Sequence, residues 1–359
     1  MKPFRSALRL LLPLAAAGCF ILFPRQTSAA VVEGLQLSVR ALIPALFPFF
    51  LCIGLAAELG VSERLARCAA PLTAHLFHIG GAGSAALLFG LLGGYPAGAQ
   101  CVASLCKKGQ LSRDEGAYLL LFCNNAGPAF LFGVAAPLLG SSRAAALLWG
   151  ILILSALLYG LLCRPASVPA PAAQSAAEAP EFSAAFLRAV RGAGESMFSI
   201  TVFVTAFSVF SNLLLLALRA ALPPAAQALL TGTLELSGGL LALSALNLPL
   251  CWKLTAAAAL CAFGGLCVFL QTKAVLLAAG LACTGYLRAK LTQALFAAAL
   301  AFCAAPLLPP EQSAAALTST HPFWLPAAFA AVFCLRCRKL RLDISPKMRY
   351  NGPKRKKEC

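Results

Sequence analysis

The chain has 359 residues, of which 60% are hydrophobic and only 11% are charged. A soluble domain usually has about 25% charged residues, so this composition and a mean hydropathy of +0.83 exclude an ordinary soluble protein. The net charge of +17 is concentrated in a C-terminal tail that follows an apolar run, so we interpret it as a contact with anionic lipid and expect no nucleic-acid partner. The apolar runs predict an all-α, polytopic membrane protein with about 8–10 spans of some 20 residues each.

The first predicted span is the apolar run from Leu8 to Phe23, which Lys2, Arg5 and Arg9 precede. A signal peptide is one interpretation. We favour a retained span, since the chain behind it is also apolar, and its basic flank predicts a cytoplasmic N-terminus. A second span is predicted over Leu42 to Leu59.

The most unusual stretch runs from Gly90 to Pro128 and contains GLLGGYPAGAQ and FCNNAGP. Freed backbone groups in lipid must be satisfied by protein or by trapped water. Broken, polar-decorated segments at membrane depth therefore tend to line a cavity or a binding site. The alternative is a pair of kinked helices that pack through glycine. The approach to this stretch, from Ser62 onwards, is a candidate re-entrant hairpin.

A Pro- and Ala-rich linker at Ala166 to Glu181 and an amphipathic approach helix at Phe182 to Glu195 divide the further predicted spans into two sets. Before the linker they are Leu119 to Leu139 and Ala144 to Leu162; after it they are Met197 to Leu218, Ala226 to Leu246, Leu254 to Gln271, Ala274 to Ala304 and Trp324 to Leu335. Because both termini are basic, we expect both to be cytoplasmic, which requires an even number of crossings.

The two sides of the linker share a pattern. Gly93-Gly94 precedes Gln100 with the same spacing as Gly264-Gly265 precedes Gln271. Internal repeats with interrupted apolar segments in matching positions are typical of transporter-like sites. We therefore predict an N-terminal span and loop (1–40), a first repeat half (41–163), a linker and approach helix (164–195), a second repeat half (196–304), a final span (305–335) and a basic tail (336–359).

The candidate substrate-binding residues are polar side chains at or near the predicted breaks. Glu235 stands in the middle of an apolar run, where a carboxylate must be paired, protonated or in contact with a coupling ion, and Arg288 is a candidate partner. The predicted set is Asn124, Asn125, Glu235, Gln100, Gln271, Ser237 and Thr233, with structural breaks at Gly93, Gly94, Pro96, Gly127, Pro128, Gly264 and Gly265.

Catalytic and metal chemistry find little support in the sequence. His75 and His78 share a helix face but are too few for a metal site without a third ligand. Cys334 and Cys337 form a single CxxC with no second pair. No Walker A, HExxH or GxSxG motif is present, so we predict neither an enzyme nor a cofactor.

Five sequence motifs carry a resemblance to a known family: GGYPAGAQ, Glu115, FCNNAGP, TLELSGG and FGGLCVFLQ. In order and spacing they are similar to the sporulation integral membrane protein YlbJ family, of the nucleoside-recognition or Gate domain group. That group's pattern also occurs in concentrative nucleoside transporters, ferrous-iron permeases and spore maturation membrane proteins. The family usually has Ser-Val-His where this chain has Leu266, Cys267 and Val268.

The resemblance implies a multi-pass protein in the cell membrane of a sporulating bacterium, needed for spore cortex formation. With the polar breaks, it predicts a transporter-like protein that moves or senses a small polar solute, nucleoside-like or otherwise, or a coupling ion. Two alternatives stay open: a non-transporting scaffold that recruits cortex-synthesis partners through its basic tail, and an ion or metal permease.

Overall fold

A computed structural model describes residue 14 and residues 17–166, 181–282 and 284–308, all within one compact unit. In these ranges the chain forms helices and connecting turns and has no strand. Within the described ranges, six helical segments are long and apolar enough to cross a membrane, or seven if one sharply bent pair counts as a span. The prediction of an all-α, polytopic membrane protein is confirmed. The final span, the basic tail, the CxxC pair and most of the linker lie outside the described residues.

Two long helical segments pack side by side. The first is α1 (Pro24–Leu37), which continues through a π-helical turn (Ser38–Leu42) into α2 (Ile43–Glu58). The second is α9 (Phe182–Leu218), which is 37 residues long. At 1.5 Å per residue α9 is about 55 Å long, which exceeds the roughly 30 Å hydrocarbon layer. One end of α9 must therefore project beyond the lipid tails.

Both long segments differ from the sequence-based boundaries. The span predicted from Leu42 is part of a helix that begins at Pro24. The predicted approach helix and the span after it form the single helix α9. The physical reason is packing: a Cβ atom at Gly34 of α1 would lie 2.8 Å from the Cα atom of Thr205 in α9. Packing against α9 therefore stabilises α1 as a helix, although its sequence is too polar for a membrane span to be predicted there.

Short or broken helices and one uninterrupted helix of 21 residues make up the rest of the first half. They are α3 (Val61–Phe77), α4 (Gly81–Gly93), α5 (Ala97–Lys107), α6 (Arg113–Cys123), α7 (residues 128–139) and α8 (Ser142–Leu162). Helices α3 and α4 are bent by 96° at their junction. The buried Glu115 carboxylate holds this junction, since its Oε1 accepts a 2.8 Å hydrogen bond from the backbone N–H of Gly80.

The second half is also built from interrupted helices: α10 (Pro224–Leu234), α11 (Leu236–Ser244), α12 (Leu250–Phe263), α13 (Gly265–Ala278) and α14 (Tyr286–Ala304). The run predicted as one span over Ala274 to Ala304 is not a single helix. Gly280 and Gly285 have φ values of +67° and +81°, which place a left-handed turn between α13 and α14. Lys290 consequently lies near the start of α14, not in the middle of a span.

Each half contains two short helices that cross at glycines. In the first half, a Cβ atom at Gly98 of α5 would lie 3.0 Å from the Cα atom of Gly90 in α4. In the second half, a Cβ atom at Gly239 of α11 would lie only 2.0 Å from the Cα atom of Gly232 in α10. The backbones of both helix pairs are therefore in direct contact.

The α10–α11 crossing gives a first prediction. Gly239→Ala places a methyl group against backbone that cannot turn away, so we expect the free energy of unfolding to fall by about 1–3 kcal/mol. Gly192→Ala is the matched control, since its Cβ atom would meet nothing within 4 Å; it should be neutral or stabilise the protein by up to about 1 kcal/mol. Denaturation of the detergent-solubilised variants measures both. Equal stability of the two variants would contradict the close crossing.

Candidate functional site

A small cavity lies where breaks from both halves of the chain meet. Its wall includes the turn between α4 and α5 (Gly94 and Tyr95), the break before α7 (Gly127) and the break between α10 and α11 (Glu235). Side chains of the α1–α2 segment, α9 and α13 also line the cavity. The cavity volume is about 40 Å³. A water molecule needs at least about 10–15 Å³ and a small-molecule pocket about 300–1,000 Å³, so this cavity has room for a few waters only.

Two glycines bring the first-half breaks together. A Cβ atom at Gly94 would lie 2.7 Å from the backbone nitrogen of Gly127, and one at Gly127 would lie 2.8 Å from the nitrogen of Gly94. Gly94 also has a φ of +77°, which side-chain-bearing residues rarely adopt. A side chain at either position would separate the α4–α5 turn from the α6–α7 break.

Glu235 is the acidic residue of the cavity wall. Its backbone is extended and interrupts the α10–α11 segment, and its side chain caps the N-terminus of α11. Oε1 accepts a 2.9 Å hydrogen bond from the N–H of Ser237, and Oε2 accepts a 2.6 Å bond from that of Gly238. A carboxylate is favoured at this end of a helix because the free N–H groups and the helix dipole are positive there. The side chain is 3% exposed.

The charge partner predicted for Glu235 is not found there. Arg288 is exposed on α14, and Glu235 forms no ion pair with any residue that the structure describes. The expectation of an Arg288 contact is therefore wrong, because Arg288 lies on an exposed face of α14 whereas Glu235 is buried. The hydroxyl of Tyr95, also in the cavity wall, is buried and has no hydrogen-bond partner within the described ranges.

A second polar cluster lies at the break between α6 and α7. The amide of Asn124 donates to the Thr272 hydroxyl at 3.0 Å and to the Tyr286 hydroxyl at 2.8 Å. The amide of Asn125 donates to the carbonyl of Phe122 at 2.6 Å, and its Oδ1 accepts a 2.8 Å bond from Nζ of Lys290. These bonds tie the α6–α7 break to α13 and α14.

The structure separates the predicted site residues into groups. Glu235, Ser237 and Gln271 line the cavity with Gly93, Gly94 and Gly127, whereas Asn124 and Asn125 belong to the second cluster. Gln100 does not line the cavity, and its Nε2 donates to the Ser196 hydroxyl of α9 at 3.2 Å. Thr233 donates to the carbonyl of Leu230. The remaining predicted breaks are the cis Tyr95–Pro96 bond, Pro128 at the start of α7, and Gly264 and Gly265 between α12 and α13.

Four members of the second cluster were not in the predicted site: Thr272, Tyr286, Lys290 and Gln293. The sequence does contain a signal for three of them. Tyr286, Lys290 and Gln293 recur at the spacing of one helix face, and all three are at most 2% exposed. A charged and an amide side chain on the buried face of an apolar helix indicate a polar partner across the interface.

Histidine and cysteine side chains do not form a metal centre in the described ranges, where no group of three His, Cys, Asp or Glu residues could hold an ion. His78 ends α3, and its Nδ1 lies 2.7 Å from the carbonyl oxygen of Pro165. Burial raises the pKa of the Cys106 thiol, and the nearby Glu115 carboxylate raises it further. Cys106 is therefore poorly suited to act as a thiolate.

Comparison with known proteins supports the resemblance seen in the sequence. Over 217 residues, the chain is 28% identical to the sporulation integral membrane protein YlbJ of Bacillus subtilis (strain 168). The match covers 53% of this chain and spans about half the length of that relative, 52%. It confirms the predicted resemblance to the YlbJ family, while membership of the Gate domain group stays a prediction. No family model and no solved structure matches the chain.

Proposed function

We propose that this chain, which resembles the YlbJ family of sporulation integral membrane proteins, has a transporter-like function in the sporulating cell. The proposal is that the protein moves or senses a small polar solute through the cavity beside Glu235 and serves spore cortex formation. One observation carries it: a buried carboxylate with no cationic partner in the described ranges lines a cavity where broken segments of both halves meet.

The donors and acceptors around the cavity favour a particular kind of solute. Both Glu235 oxygens already accept one backbone hydrogen bond each, and a carboxylate has about four lone-pair positions. The unpartnered Tyr95 hydroxyl and the side chain of Gln271 supply further polar atoms in the wall. This set suits a solute that carries a positive charge or several hydrogen-bond donors. We expect no role for a solute that presents only negative charge to Glu235.

The size of the cavity limits which solutes it can hold in this conformation. About 40 Å³ is too little for a nucleoside or for most metabolites. The proposal therefore requires the short helices around the cavity to separate when solute enters. In transporters with a site at interrupted helices, access usually changes when one repeat or bundle rocks or gates against the other around that site. The described conformation is the closed one in this scheme, and the same scheme accommodates a nucleoside-like solute only after opening.

The test removes the negative charge of Glu235 and keeps the size and shape of its side chain. In a spore-forming strain that lacks its own copy, Glu235→Gln should reach the membrane as a folded protein but reduce the yield of heat-resistant spores at least tenfold. Glu195→Gln is the matched control, since Glu195 is exposed on α9 and, among the residues that the structure describes, its one ion pair is with Arg191; it should restore sporulation fully. Full restoration by Glu235→Gln would reject this carboxylate as the solute site.

A further inference from the structure

The buried lysine of the second polar cluster has an unusual environment. Lys290 is 2% exposed, and its Nζ is 2.8 Å from Oδ1 of Asn125 and 3.1 Å from Oε1 of Gln293. Nζ also lies 5.6 Å from the centre of the Tyr286 ring. In the described part of the chain, Lys290 forms no ion pair with a carboxylate. A buried ammonium is normally neutralised by a carboxylate, whereas the contacts of Nζ within the described ranges are with the neutral side chains of Asn125, Gln293 and Tyr286.

The two amide oxygens are oriented towards Lys290 by other contacts. The NH₂ group of Asn125 donates to the carbonyl of Phe122, and that of Gln293 donates to the carbonyl of Leu121. Both carbonyls belong to the last turn of α6, where carbonyl groups lack their normal helical N–H donors because the helix stops at the break. With their NH₂ groups held there, Asn125 and Gln293 can present only their oxygens to Nζ.

These acceptors match the requirements of an ammonium group. An ammonium has three N–H bonds and no acceptor capacity. Two amide oxygens and the face of an aromatic ring offer three places for these bonds, and aromatic rings attract cations by their quadrupole. The same donor set, oxygens with an adjacent ring, would suit a free monovalent cation. A further buried oxygen in the cluster, Oδ1 of Asn124, has no partner within the described ranges.

We propose that this cluster is a monovalent-cation site that the ammonium of Lys290 occupies permanently. In this arrangement the cation is part of the chain, so the α6–α7 break is held to α14 without a free ion. The site is distinct from the cavity beside Glu235, and Lys290 does not line that cavity. The inference therefore does not depend on the proposed transport of a solute.

Removal of the lysine side chain should turn the cluster into a site for a free cation. We would purify the full chain and its Lys290→Ala variant in detergent and measure melting in choline, sodium, potassium, ammonium and methylammonium chloride at constant ionic strength. The unmodified protein should melt at the same temperature in all five salts. Lys290→Ala should melt lower in choline and recover at least half of that loss in ammonium or methylammonium, with saturation as expected for ligand binding.

Lys253→Ala is the matched control. Lys253 donates to the carbonyl of Ser244 at 2.9 Å but is only partly buried and has no such cluster around it. Its variant should show no recovery that depends on the cation. If Lys290→Ala folds and melts at the same temperature in all five salts, the proposal is overturned.

A second measurement on the unmodified chain covers the case in which Lys290→Ala does not fold. With ¹⁵N-labelled lysine, Nζ of Lys290 should give a slowly exchanging ammonium resonance at pH 7, which Lys290→Arg removes while it retains the fold. A resonance at the position of a neutral amine, or no protected signal that depends on Lys290, would overturn the proposal by itself.

Discussion

Asn125→Ala should lower the free energy of unfolding by about 3 kcal/mol. The substitution removes a hydrogen bond to a buried charge, worth about 1.5–3 kcal/mol, and leaves the carbonyl of Phe122 without its donor. The matched control is Asn212→Ala, in which the lost bonds go to an exposed Glu33 carboxylate and to a backbone carbonyl of α9. We expect the control to cost no more than about 1 kcal/mol.

A double-mutant cycle assigns the Asn125 effect to its contact with Lys290. If the cost arises from a stranded ammonium, the double variant Asn125→Ala/Lys290→Met should be less destabilised than the sum of the two single variants. Coupling between contacting residues is usually about 0.5–3 kcal/mol. Denaturation of all four proteins in one detergent supplies the cycle. Strict additivity would mean that the 2.8 Å contact contributes nothing to stability.

Glu235→Ala should also have a large effect, a loss of about 2–4 kcal/mol, because two N–H groups of α11 lose a charged acceptor in a buried place. Glu235→Gln keeps one oxygen and should cost less than half of that. The comparison is Ser112→Ala, since Ser112 caps α6 through a single 3.1 Å bond to the N–H of Glu115; a neutral cap of this kind is worth about 0.5–2 kcal/mol.

In this prediction the three variants rank by the charge and burial of the cap that each one changes. Thermal or chemical denaturation of Glu235→Ala, Glu235→Gln and Ser112→Ala should give the largest loss for the first. If Ser112→Ala proves as costly as Glu235→Ala, the carboxylate is not an important cap. The loss of sporulation expected for Glu235→Gln would then have to be explained through solute contact alone.

Local chemistry explains which breaks could be predicted from the sequence. Glycine and proline next to polar residues predicted the interruptions at Gly94 and Gly127, and the structure has an interruption at each. The carboxylate of Glu235, alone in an apolar run, predicted a polar site, and it lines the cavity. In these cases the chemistry of one residue type, a glycine, a proline or a carboxylate, differs sharply from that of its neighbours. The position of the break or polar site can therefore be predicted without knowledge of the packing.

Features that depend on packing between distant segments could not be predicted from the sequence. The equal spacing of Gln100 and Gln271 suggested paired positions, but Gln100 bonds to α9 and Gln271 lines the cavity. The sequence places Lys290 on one helix face with Tyr286 and Gln293, but the contacts of that face with the end of α6 arise only from the packing of α14. Average hydropathy along a helix also conceals one polar face within an apolar run.

Helix α9 has a further consequence for how the cavity can open. It runs for 37 residues without a break and contributes Ile200 and Val204 to the cavity wall. Other parts of the wall come from helices that are interrupted by non-helical residues, such as the α10–α11 break. Neither α9 nor the α1–α2 segment contains such a non-helical break. Any opening would therefore move the interrupted helices, while α9 and the α1–α2 segment keep their positions. Cross-links between α1 and α9 should leave such a movement free, and cross-links from α9 to the α10–α11 break should arrest it.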